Sequence, residues 1–87
     1  MTLPKVIEDI HALNEELQAF EKKYGMLSED FFKLYETGQM RDEEPAEIIN
    51  FGRWAAFYET KVHRLDLYRQ LFDQKAPAPR EPELQPA

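Results

Sequence analysis

A single spacing restricts this chain more than any other feature. Leu3, Val6, Ile10, Leu13, Leu17, Phe20 and Tyr24 recur at alternating steps of three and four, which places all seven on one stripe of an α-helix. A half-buried strand would need alternation by two, and no stretch here shows it. Thr2 is placed to cap the helix, and Pro4 falls in its first turn, where a missing N–H costs nothing. Glu8, His11, Glu15, Gln18 and Lys22 take the opposite face. So narrow an apolar stripe describes a helix lying against one neighbour.

The pattern breaks within "KYGMLSEDFF" and restarts in a new phase. Gly25 supplies the left-handed conformation that closes a helix, and Met26 is placed to fold back onto Phe20. Ser28 is the expected N-cap of a second helix, with Leu27 and Phe32 spaced as a hydrophobic staple. Phe31 stands where a capping box would carry Glu, while Glu29 and Asp30 suit the positive end of the helix dipole. This helix should run from Ser28 to Thr37, carry Phe31, Phe32, Leu34 and Tyr35, and stop at Gly38.

After a polar loop over Gln39 to Glu44, "DEEPAE" reads as a helix start, and the third helix extends from Pro45 to about Gln74. Its stripe is Ile48, Phe51, Ala55, Tyr58, Val62, Leu65, Arg69 and Phe72, interrupted in character only by Arg69. Trp54 and Tyr68 flank it on one side and Phe57, Arg64 and Leu71 on the other, so the apolar arc spans roughly 150°. Gly52 marks close packing or a kink, and Arg69 is spaced to pair with Asp73.

The predicted fold is all-α: an antiparallel pair of long helices with a short connecting helix over residues 1–75. A proline-rich disordered tail, "APAPREPELQPA", follows over 76–87. One slender neighbour cannot cover a 150° arc, so a companion is expected. Either a second copy completes a four-helix bundle, or a different protein lies against the aromatic helix.

Several function classes fall away. A net charge of −6 opposes a surface built for phosphates or anionic lipid. With no cysteine, neither disulfides nor thiolate metal sites are available. No segment has the length and apolarity to span a bilayer and none reads as a signal peptide, so a cytoplasmic location is expected. Glu8 and His11 have the Glu-x-x-His spacing of carboxylate-bridged metal bundles but fall on the outer face, where ligands cannot converge. His63 likewise falls on an outer position. Ser28, the only serine, has no histidine placed beside it, and the three glycines form no phosphate loop. No enzyme activity, metal or cofactor is expected. Arg53, Lys61, Arg64 and Arg69 lie among aromatics on the third helix, yet no helix-turn-helix pattern accompanies them, so direct nucleic-acid contact is not expected either.

The stretch "LQAFEKKYGMLSEDFFKLYETGQMRDEEPAE", followed by a helix bearing Trp54 and Tyr58, resembles a group of small prokaryotic proteins. Their pattern is a leucine-rich helix, then F-E-x-K-Y-G-M-x-S-E-x-F, a glycine, an acidic turn and a Trp/Tyr-rich helix. The resemblance covers about Leu13 to Leu71, with Phe20, Tyr24, Gly25, Met26, Ser28 and Phe32 on the linker signature. The chain departs from it at Phe31, in the "QMRDEEPAE" turn and in the tail. The resemblance implies an antitoxin-like component of a toxin–antitoxin pair, a non-enzymatic protein that masks a cognate toxin, often a nuclease. On that reading Trp54, Phe57, Tyr58 and Tyr68 are the anchors, since desolvated aromatics dominate interfaces. Asp42, Glu43, Glu44 and Glu47 steer a basic partner, in a segment (residues 28–47) with seven acidic and two basic groups. The competing reading is a self-associating bundle of structural role, with the same rings in its own core.

Overall fold

The structure, a computed structural model, describes residues 1–41 and 43–75. Asp42 and the expected tail over 76–87 lie outside the described residues. Three helices follow in order, α1 (Leu3–Tyr24), α2 (Ser28–Glu36) and α3 (Pro45–Lys75), with no strand among the described residues. The end of α1 meets the beginning of α3, where the rings of Tyr24 and Phe51 lie edge to face at 5.2 Å. The beginning of α1 meets the far half of α3 through Asp9 and Arg64, 3.3 Å apart. The two long helices are therefore antiparallel, with α2 packed against both near their connected end.

The stripe on α1 buries Val6 and Leu17 outright and half-buries its other members. Leu17 joins Phe31 of α2 and Phe51, Trp54 and Ala55 of α3 in the main core. Phe20, Tyr24, Met26, Phe32, Phe57 and Tyr58 pack around this cluster. Almost all of the core thus lies at the end of the hairpin that α2 covers.

Both punctuating glycines act as the sequence suggests. Gly25 adopts φ 71° and donates its N–H to the Glu21 carbonyl at 2.8 Å. Gly38 adopts φ 75°, and the next residue, Gln39, donates to the Leu34 carbonyl at 2.8 Å. Side chains avoid that left-handed region because their Cβ would crowd the following carbonyl.

Four local expectations need correction. Ser28 is the first residue of α2 rather than its cap, and Leu27 occupies the cap position with no side-chain bond. Leu27 is 65% exposed, so it does not close a staple. Gly52 neither breaks α3 nor serves close packing, for a Cβ built there would meet nothing within 4 Å. Arg69 forms no ion pair with Asp73 among the described residues; the basic group that α3 engages across the hairpin is Arg64.

Candidate protein-binding surface

The aromatic helix places its four expected anchors in three different surroundings. Trp54 is fully enclosed. Its indole lies almost parallel to the Phe31 ring, centroids 3.8 Å apart and planes inclined by 3°. Phe20 and Tyr24 stack on it from α1 at 5.6 and 5.5 Å. An indole buried in this way needs a partner for its N–H. That partner is Ser28, whose Oγ accepts the Nε1 hydrogen at 2.8 Å.

The serine in turn donates its hydroxyl hydrogen to Glu21 Oε2 at 2.6 Å, and its backbone N–H donates to the same oxygen at 2.9 Å. A carboxylate from α1 therefore caps α2, doing from seven residues upstream what the serine side chain does in an ordinary N-cap. With its hydroxyl spoken for on both sides, Ser28 is a structural link between all three helices. The relay joins Glu21 of α1, Ser28 of α2 and Trp54 of α3.

Phe57 and Tyr58 are half-buried on opposite flanks of the same turn. Phe57 faces α1, 6.2 Å from the Phe20 ring, with the Arg53 guanidinium 6.0 Å from its centroid. Tyr58 faces α2, 5.0 Å from the Phe32 ring. Burial raises the Tyr58 phenol above its ordinary value of 10.0, and the Glu29 carboxylate adds to the shift. Tyr68 is half-buried much farther along, stacked on Phe72 at 5.8 Å. Since a helix rises about 1.5 Å per residue, Tyr58 and Tyr68 stand about 15 Å apart along α3. The four rings are not one continuous face, and Trp54 has no surface left to offer.

The acidic segment lies at the start of α3. Glu47 is committed to the backbone: its Oε1 accepts the N–H of Glu43 at 3.0 Å and of Glu44 at 3.3 Å, capping the helix in capping-box fashion. Glu43 and Glu44 are exposed, and Glu43 pairs with Arg41 at 3.1 Å. Immediately after them Ile48 and Ile49 stand 55% and 62% exposed. Sequence reasoning assigned Ile48 to the apolar stripe and passed over Ile49. Charged residues followed by an adjacent pair of isoleucines, wider than one stripe can take in, was the available signal.

No family model matches this chain, and no curated protein or solved structure does either. The surface must be read from its own chemistry. Among the described residues no cluster of His, Asp or Glu is arranged to hold a metal ion. Glu8 turns to Lys5, at 3.1 Å, and His11 is exposed at the edge of an apolar groove shared with Ile7, Ile10, Leu65 and Tyr68. No helix is long and apolar enough to cross a membrane among the described residues.

Proposed function

We propose that this protein is a non-catalytic, antitoxin-like binding module that masks a basic partner protein with the beginning of α3. One observation carries the reading: Ile48 and Ile49 are largely uncovered, directly beside the exposed carboxylates of Glu43 and Glu44. Two adjacent, half-bare isoleucines supply what an interface centre needs, apolar area still to be removed from water. The carboxylates around them supply steering toward a positive surface, which acts mainly on the association rate. Phe57 and Tyr58, two to three turns farther on, turn to α1 and α2 instead and lie outside this surface. Trp54 holds the platform rigid from inside, and a preformed surface loses less entropy on binding.

A basic, toxic active site, such as that of a nuclease, matches this chemistry. The test is to look for a small basic protein encoded in an adjacent reading frame and to co-express the two; the absence of any such protein counts against the reading. Growth arrest by that protein alone, relieved by this chain, is the expected result. Replacing both isoleucines (Ile48→Asp with Ile49→Asp) should weaken the complex by roughly 30- to 150-fold, the effect of denying about 2–3 kcal/mol of burial. Added salt should slow association while leaving dissociation nearly unchanged. A neighbouring protein that neither arrests growth nor binds would end this reading.

A further inference from the structure

The half of the molecule remote from Ile48 carries a second uncovered surface with a different character. α2 reaches α3 through Phe31, on Phe51 and Trp54, and through Phe32, on Tyr58. At about 1.5 Å per residue its nine residues span about 13 Å, whereas the 31 residues of α3 span about 46 Å. The layer that α2 forms over the hairpin therefore ends near Tyr58. Beyond it the same side of α3 continues with Val62, Leu65 and Phe72, left 39%, 41% and 45% exposed. Leu27, at the mouth of α2, is 65% exposed, and Ile7 of α1 is 39% exposed. Two shallow grooves run along this bare side and share Leu65 as a common wall.

The arrangement of residues about Leu65 is close to its own mirror along the helix. Tyr58 lies seven residues before it and Phe72 seven after; Val62 lies three before and Tyr68 three after. Charge is mixed at both ends. The α2 end of the strip carries Glu29 beside Tyr58, with Asp30 next to it in the first turn of α2, and Lys61 of α3 lines the same groove. The other end carries Arg69 and Lys75 exposed on either side of Phe72, with Asp73 exposed between them. Arg69 occupies a position on the apolar stripe, and neither it nor Glu29 has an ionic partner among the described residues.

We infer that this strip is the contact surface for a second copy of the chain, antiparallel to the first, about a two-fold axis passing beside Leu65. Such an axis sets Leu65 against Leu65 and brings Phe72 of each copy to the level of Tyr58 and Leu27 of the other. Arg69 then stands at the level of the other copy's Lys61, and with Lys75 it brackets the level of that copy's Glu29, the carboxylate available to it there. An isologous contact needs only one self-complementary patch, and the axis brings Glu29 of each copy within the span of the other's Arg69 and Lys75. Each copy fills the layer that the other's α2 is too short to fill. The four long helices then form a bundle in which both Ile48 and Ile49 surfaces point outward, at opposite ends.

The full chain, followed by sedimentation equilibrium over a wide concentration range, should reach twice the monomer mass. Leu65→Asp should raise the dissociation constant by at least about a hundredfold, because the residue meets its own copy and two carboxylates are buried together. Since Leu65 is partly exposed in the single chain, the helical signal and tryptophan emission of that variant should match the wild type. Arg69→Glu and Glu29→Lys should each weaken the dimer by about 2- to 30-fold, given two rim pairs per dimer, and the double exchange should restore it. A wild type that stays monomeric at the highest attainable concentration would overturn the inference and leave the strip to another occupant. A dimer untouched by Leu65→Asp would place the contact elsewhere, and a double exchange that fails to restore affinity would exclude the antiparallel register.

Discussion

Replacing Ser28 by alanine removes one oxygen and tests the relay at the centre of the fold. The hydroxyl accepts the Trp54 N–H at 2.8 Å and donates to Glu21 at 2.6 Å, and Ser28 is only 3% exposed. In the alanine variant a fully enclosed indole N–H has no acceptor, which costs about 1–3 kcal/mol. Loss of the hydroxyl's bond to the Glu21 carboxylate adds less, because Glu21 is half-exposed and water can replace it. The backbone N–H of residue 28 still reaches Glu21, so the cap on α2 survives. A total of about 2 kcal/mol is expected, or a drop in Tm of about 8–16 °C for a domain of this size. Thermal and urea unfolding followed by circular dichroism, at one fixed protein concentration, would measure it. Trp54→Phe is the companion variant: with the donor gone, Ser28→Ala should cost about 1 kcal/mol less than in the wild type. If Ser28→Ala shifts stability by less than about 0.5 kcal/mol, or the two changes simply add, the relay does not bear on stability as argued.

Three further outcomes follow from the same structure. Gly52→Ala should stabilise the protein by about 1 kcal/mol, since α3 is continuous there and open space awaits the methyl group; a loss of stability in denaturant titration would refute the account of that glycine. Gly25→Ala should destabilise by about 1 kcal/mol although nothing lies within 4 Å of the new methyl, because the cost is the φ of 71° itself. Tyr58 should ionise above 10.0 in an ultraviolet titration, and Glu29→Gln should bring it part of the way back. A phenol pKa raised on folding contributes stability that is fully present below its unfolded value and lost as pH climbs through the folded value. Tyr58 should therefore make unfolding easier only on the alkaline side of 10.0, and Tyr58→Phe should flatten that decline.

Most of the local design is legible in the sequence. The step of three and four placed Val6 and Leu17 inside, and Gly25 and Gly38 ended their helices with the backbone angles that only glycine takes cheaply. That α3 carries more apolar surface than one neighbour covers was legible too, but not where: the bare side chains are the stripe residues Ile48, Val62, Leu65 and Phe72, with Ile49, while the flanking Trp54, Phe57, Tyr68 and Leu71 are buried or half-buried. Which rings would be hidden was not legible. Trp54 and Tyr68 occupy equivalent stripe-flanking positions, yet one is enclosed and the other half-buried, because α2 covers only the first half of α3. The expected face of four aromatic anchors thus becomes one buried pillar, two flanking edges and one distant ring.

By itself the sequence determined what depends on neighbours along the chain: three helices, their ends, and the buried side of α1. Those outcomes rest on φ preferences, on caps, and on a periodicity that any helix of 3.6 residues per turn obeys. On α3 the stripe residues Ile48, Val62, Leu65, Arg69 and Phe72 are exposed while the flanking Trp54 is enclosed. Tertiary structure alone decided that Ser28 accepts the indole N–H of a tryptophan 26 residues away and receives its cap from Glu21. It also decided that the bare apolar surface divides into an acidic-edged pair of isoleucines and a separate strip about Leu65. Both depend on where a nine-residue helix lands on a much longer one, and no local preference encodes that distance.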